Sequence, residues 1–246
     1  TLIVNAPQAT IENNATFHNV IIKEIAKDTW CEKSGNNLYI DSTQGHIISN
    51  SPAKSNIYLL DDSESITIDA EKNLQELLIA SAAKVLVKSD SVADRISCEY
   101  IGPEGKGTIE TYVPLDIYST TTFNLLVGPG GEQTAVKVSN EKDIPKVSGL
   151  GTISITVDST GSQKTVIAKY TSDIKNLPVT TVSGKVKEKN VDGDGAAGAT
   201  IYLVRYITDL TDDNMSVYLD GSSTKKTKTD ADGNYLFESI PLGNYV

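Results

Sequence analysis

Asn190-Val191-Asp192-Gly193-Asp194-Gly195 sets side-chain oxygens at alternate positions and ends on a glycine suited to a sharp turn. That spacing opens a calcium loop, in which hard oxygen ligands alternate and a bidentate carboxylate closes the site at the twelfth position. Here the twelfth position is Ile201. A structural turn is the competing reading, and calcium is the only cofactor the pattern suggests. Cys31 and Cys98 are the only thiols. His18 and His46 are the only imidazoles, too far apart to form a catalytic pair by spacing. No G-x-S-x-G, H-E-x-x-H or Cys/His metal spacing occurs. The expectation is therefore a chain that is not an enzyme.

These residues hang on a ladder of apolar pairs: Leu2/Val4, Val20/Ile22, Leu38/Ile40, Ile57/Leu59, Leu77/Ile79, Ile96/Cys98 and Leu115/Ile117. Their first members are 18, 18, 19, 20, 19 and 19 residues apart. An i, i+2 pair puts both side chains on one face of a strand. A repeat this short cannot bury its own apolar face, so successive copies must stack. Second strands lie between the rungs at Gly45–Ser49, Ser65–Asp69, Lys84–Lys88 and Gly107–Thr111, separated by corner residues such as Asn50-Ser51-Pro52 and Asp61-Asp62-Ser63.

The spacing predicts an all-β chain whose first part is a parallel β-helix of about seven coils over 1–145. An ordinary sandwich of short strands gives no reason for a fixed register over six steps. A left-handed hexapeptide helix needs an aliphatic every six residues, and Gln8, Asn14, Ala26 and Glu32 break that rule. Right-handed winding is the expectation. Phe123–Val127 and Ala135–Val138 flank Gly128-Pro129-Gly130-Gly131 as a further coil or a capping hairpin. Ile153–Val157 and Thr165–Tyr170 read as a second hairpin, so 146–181 is expected to be a cap and linker. Neither cysteine is expected to bridge, since they lie three to four coils apart and inward-facing Cys98 reads as a small core residue.

Net charge is −10, and of 22 basic residues only Arg95 and Arg205 are arginine. That balance argues against nucleic acid and anionic membranes as partners. No apolar run is long enough for a membrane helix, so membrane insertion is not expected. The chain begins and ends in strands and reads as a piece of a larger protein.

From Val182 the chain resembles the carboxypeptidase regulatory-like and collagen-adhesin B-type domains of bacterial surface proteins. The matching stretches are Val182–Val186, Gly198–Leu203, Thr229-Asp230-Ala231-Asp232-Gly233-Asn234-Tyr235-Leu236-Phe237 and Ile240–Tyr245. The resemblance implies a small prealbumin-like or Ig-like β-sandwich over 182–246, truncated at its C-terminus and used as a stalk or spacer. This copy departs in a long excursion, Arg205–Ser223. Some relatives bind calcium through acidic turns, which adds Asp230 and Asp232 to Asp192 and Asp194 as calcium candidates. The resemblance also implies a Lys–Asn isopeptide bond with Lys185 or Lys187 as donor, its acceptor strand lying beyond Val246. The solenoid is similar in pattern to β-helical regions of large surface proteins of Gram-positive bacteria. β-Helical lyases and esterases handle acidic sugars with clustered Arg, Lys and Asp; Arg95 is the solenoid's one arginine.

The expected function is a non-catalytic fragment of a secreted or cell-surface bacterial protein, acting as rigid scaffold or adhesin with a stalk module. The alternative is a carbohydrate-binding module of a larger surface protein or polysaccharide-active enzyme. Expected partners are a host or cell-wall glycan or a protein ligand, with covalent or S-layer-type wall attachment outside this segment. The residue between each inward pair points outward, giving the row Ile3, Ile21, Tyr39, Tyr58, Leu78, Ser97, Asp116. Ile21, Tyr39, Tyr58 and Leu78 are its ligand candidates, because consecutive apolar rungs on a solvated face exceed scattered exposure. Cover by another element, or a stabilising ring ladder, explains the same stripe.

Overall fold

The computed structural model describes residues 1–7, 9–25, 30–89, 95–168, 179–188, 194–211 and 214–241. Side chains are described for all of these except 179, 180, 205–211, 214–224, 239 and 241. The chain divides into two compact units, 1–169 and 170–246.

The first unit is a β-solenoid of about eight turns, each built from one strand in each of two parallel layers. Strands β1 (Leu2–Ala6) and β2 (Ile11–Asn13) make the first coil, β3 (Val20–Ile25) and β4 (Trp30–Glu32) the second. The third pairs β5 (Asn37–Ile40) with the first half of β6 (Gln44–Leu59). The second half of β6 and the first half of β7 (Ser65–Ile79) form the fourth, and the rest of β7 with β8 (Lys84–Lys88) the fifth. The last three coils are β9 (Ile96–Tyr100) with β10 (Thr108–Thr111), β11 (Leu115–Ser119) with β12 (Asn124–Val127), and β13 (Ala135–Val138) with β14 (Lys146–Gly149).

The first layer therefore runs β1-β3-β5-β6-β7-β9-β11-β13, all parallel. The coils do not stop at 145. β14 pairs with β12, and β15 (Thr152–Val157) continues the first layer from β13. β16 (Ser162–Ile167) then folds back antiparallel on β15, as a hairpin across 153–170 requires. The stretch expected to be either a coil or a capping hairpin near Gly128–Gly131 is a coil.

Inward pairs stack as one continuous core. Val20, Ile22, Leu38, Ile40, Ile57, Leu59, Leu77 and Ile79 are all fully buried. Each such side chain removed from water stabilises the fold by roughly 1.5–3 kcal/mol. The register differs from the sequence spacing at one step. Leu77 faces Cys98 and Ile79 faces Tyr100, so the rise is 21 residues where the ladder of apolar pairs implied 19. The slip is two residues, which keeps every side chain on its expected face. Tyr100 thus enters the core, where it meets the Phe123 ring with centroids 5.0 Å apart.

Corners use one device repeatedly: a short polar side chain caps the backbone two residues on. Asn13 does this with Ala15, Ser51 with Ala53, Ser81 with Ala83, Thr111 with Val113 and Ser119 with Thr121. Such side chains satisfy backbone groups that the turning chain cannot pair in a sheet.

In the second unit, β17 (Val179–Lys185) pairs antiparallel with β20 (Asn234–Pro241), and β18 (Thr200–Thr211) with β19 (Asn214–Lys228). Of the long Arg205–Ser223 excursion, the described residues 205–211 and 214–223 belong to the β18–β19 pair. Among the described residues there is no α-helix, and so no helix long and apolar enough to cross a membrane.

Candidate functional site

The first layer's outward row contains the candidates Ile21, Tyr39, Tyr58 and Leu78 as successive Cα partners, with Ile3 before them. Beyond Leu78 the two-residue slip changes the row: Glu99, Tyr118, Lys137 and Thr156 follow. Ser97 and Asp116 belong instead to the neighbouring row with Glu76. The apolar stripe thus ends against a carboxylate.

Within it the Tyr39 and Tyr58 rings stack, centroids 4.8 Å apart and planes 19° off parallel. That distance equals the spacing of adjacent strands, so the backbone sets the stack. Each ring gives one face to the other, and Ile21 and Leu78 are the next rungs beyond them. Burial, with the nearby Glu76 carboxylate as a smaller cause, pushes the Tyr58 hydroxyl above its ordinary pKa. Beside the rings Asn56 donates to the Asn37 side chain at 3.0 Å, continuing the ladder along the same two strands. Ile3 alone in the stripe is widely exposed, at 65%.

The second layer holds a group that the sequence reading did not single out. Its outward side chains include His46, Thr67 and Leu86 as one row of Cα partners, and Ile48, Asp69 and Lys88 as the next. Lys88 Nζ lies 2.9 Å from Asp69 Oδ2, and His46 Nε2 lies 3.9 Å from the same oxygen. Asp69 is only 4% exposed, and its other oxygen, Oδ1, has no hydrogen-bond partner. Two coils beyond Asp69, Glu110, also 4% exposed, accepts from the Tyr112 hydroxyl at 3.0 Å and lies 3.4 Å from Lys84 Nζ. Burial, reinforced by that carboxylate, drives the Tyr112 hydroxyl pKa up. The available signal was register: aligning the second strands of successive coils puts Thr67 and Asp69 between His46-x-Ile48 and Leu86-x-Lys88.

The remaining candidates are scattered. His18 is exposed and belongs to neither layer's cluster. Cys31 is half-buried on the outward face of β4, Cys98 is 1% exposed in the core, and both are free thiols. Burial raises both thiol pKa values. Asp192 lies outside the described residues. The Asp194 carbonyl accepts the Glu188 N–H at 2.8 Å. Asp230 spends its carboxylate on its own turn: Oδ1 accepts the N–H groups of Asp232 and Asn234 at 2.9 and 2.8 Å, and Oδ2 accepts the Asn234 side chain at 3.2 Å. These bonds hold its pKa below the usual carboxylate range. Asp232 is exposed within the same turn. Among the described residues no group of three or more His, Cys, Asp or Glu side chains is arranged to hold a metal. Lys185 and Lys187 are both exposed.

No protein-family model, curated protein or solved structure matches this chain.

Proposed function

We propose that this chain is a non-catalytic scaffold of a bacterial cell-surface or secreted protein, a stiff solenoid joined to a stalk module. The observation that carries the reading is the core itself: among the described residues, buried apolar side chains stack from coil to coil between Val4 and Val157, and the buried carboxylate of Glu32 is spent on neighbouring side chains and backbone N–H groups. A stack in which each coil depends on its neighbours suits a load-bearing spacer. Corner side chains serve the backbone, and the stacked tyrosines serve each other. Right-handed winding and a prealbumin-like sandwich in the second unit belong to the same proposal. Its support is the residue pattern quoted from Val182 onward and the antiparallel pairing of β17 with β20.

In this reading the chain is extracellular, meets glycan or protein ligands at the cell boundary, and is fixed to the wall by sequence outside this segment. The test is surface labelling. An antibody against the chain should stain unpermeabilised cells and follow the wall fraction. Staining confined to permeabilised cells would sink the proposal, as would turnover of any polysaccharide in a hydrolase and lyase panel.

A further inference from the structure

We infer that the outward face of the second layer around Asp69 is a binding site for an uncharged saccharide. This goes beyond the scaffold reading and does not depend on it, and it lies on a different layer from the tyrosine stripe.

Asp69 points out of a β-sheet yet is nine-tenths buried, and its Oδ1 accepts no hydrogen bond. Buried acceptors in folded proteins are nearly always paired, so an orphan one marks a position where a donor belongs. The surroundings say what kind of donor. Lys88 already sits 2.9 Å from Oδ2, which offsets the carboxylate charge and makes a cation a poor occupant. A hydroxyl donates one hydrogen bond and accepts others, which suits a face where a carboxylate and an ammonium lie together and Thr67 projects from the same side of the strand two residues away.

Thr67 and Asp69 are two residues apart on β7 and point the same way. They stand about 6.7 Å from each other, with the next coil about 4.8 Å away. Those spacings lie within the span of one pyranose ring and its substituents. Ile48 flanks Asp69 on one side and Leu86 flanks Thr67 on the other, as register partners in the adjacent coils. The patch therefore alternates apolar and polar positions, the chemistry needed to cover a sugar's C–H groups while bonding its hydroxyls. At its centre the Lys88 ammonium is set against the Asp69 carboxylate, with the His46 imidazole 3.9 Å from the same oxygen, so both signs of charge meet there and neither an anionic nor a cationic ligand is favoured. Oδ1 is enclosed, and the Lys88 side chain beside the carboxylate is 36% exposed; the inference requires neighbouring side chains to turn aside for a hydroxyl to reach that oxygen.

The experiment screens the full chain on an array of neutral mono- to tetrasaccharides of hexoses and N-acetylhexosamines, with uronic-acid and sialylated glycans alongside. Calorimetry with the best neutral hit then compares variants. Asp69→Ala and Thr67→Val should each weaken binding about tenfold or more. Thr67→Val keeps the side-chain shape, so it decides the matter even where Asp69→Ala impairs folding. Lys164→Ala, on the β16 hairpin, should leave affinity unchanged. A crystal soaked with that sugar should place a hydroxyl on Asp69 Oδ1. A blank array overturns the inference. So does binding restricted to the acidic glycans, binding that Thr67→Val leaves within about twofold, or an ordered water alone on Oδ1 in the soaked crystal.

Discussion

Leu78 sits directly across from Glu99 in the next coil, not from Ser97, because the fifth-to-sixth step of the solenoid is two residues longer than the apolar spacing implied. Both side chains point outward, so a crosslink reads the register without disturbing the core. With Leu78→Cys and Glu99→Cys, the new thiols stand on neighbouring strands about 4.8 Å apart, inside the range that a disulfide spans. Closing that loop should stabilise the chain by about 3 kcal/mol. Leu78→Cys with Ser97→Cys is a diagonal pair about 7–8 Å apart and should stay reduced. Thiol titration after mild oxidation, with Cys31→Ser to silence the half-exposed native thiol, distinguishes the two; a bridge only in the Ser97 variant would refute the register.

The stacked rings of Tyr39 and Tyr58 should contribute stability beyond the area each buries. A double-mutant cycle with Tyr39→Ala and Tyr58→Ala should give a coupling of about 0.5–1.5 kcal/mol between them, with both single variants melting lower. Additive losses would mean that the rings merely lie side by side. A lost glycan or protein interaction without any change in melting temperature would assign the stripe to binding.

Ladder and register were not equally legible in the sequence. Inward pairs such as Leu38/Ile40 and Ile57/Leu59 announce themselves because a strand alternates its faces, and a slip of two residues leaves that alternation intact. For the same reason the pattern could not tell Ile96/Cys98 from Cys98/Tyr100 as the partners of Leu77/Ile79. All three residues face inward, and a tyrosine in a core position carries no label. Asp69 was hidden for a different reason. Its burial comes from side chains 21 residues before and 19 after it, Ile48 and Lys88, which meet only once the coils stack. The acidic turn at Asp230 suggested calcium through the family resemblance, whereas the carboxylate's partners are the Asp232 and Asn234 N–H groups and the Asn234 side chain, all within four residues.

Glu32 breaks the apolar spacing in the sequence, and the structure buries it completely. Among the described residues no cation hydrogen-bonds to it. Its carboxylate instead accepts from the side chains of Asn13, Trp30 and Asn36 and from the backbone N–H groups of Ser34 and Asn36. Glu32→Ala strands several buried donors at once, and each unsatisfied donor costs about 1–3 kcal/mol. The expected result is a fall of about 3 kcal/mol or more in unfolding free energy, read from urea midpoints at constant m. Loss of less than about 1 kcal/mol would show that water readily replaces the carboxylate in that corner.

Gly107 opens the second strand of the sixth coil directly against the Tyr100 ring. Its N–H donates to the Tyr100 hydroxyl at 2.9 Å, while that hydroxyl donates to the Pro103 carbonyl at 2.9 Å. A methyl group at position 107 would overlap the ring itself. Gly107→Ala should therefore destabilise by about 1–3 kcal/mol, the usual cost of overpacking. In a Tyr100→Leu background the same change should cost far less, because the obstructing ring is gone. Equal costs in the two backgrounds would place the strain in the backbone rather than in this contact.

The Asp230 turn should respond to acid. Hydrogen bonds from Asn234, then Asp232, favour the carboxylate, so its folded-state pKa lies below the unfolded value of about 3.9. A depressed carboxylate pKa stabilises the folded turn at pH values above the unfolded pKa, and that contribution disappears as pH falls through the folded one. The window is thus acidic, below about pH 4, with no change expected between neutral pH and that point. Carbon-detected NMR should show Asp230 titrating below the ordinary aspartate value. Over the same range the Asp232 and Asn234 amide protons should shift, as their acceptor oxygen becomes protonated. Asp230→Asn should abolish that shift while keeping a weaker turn, because a neutral amide oxygen still accepts but carries no charge. An Asp230 titration at or above the ordinary value would mean that these bonds do not favour the charged form.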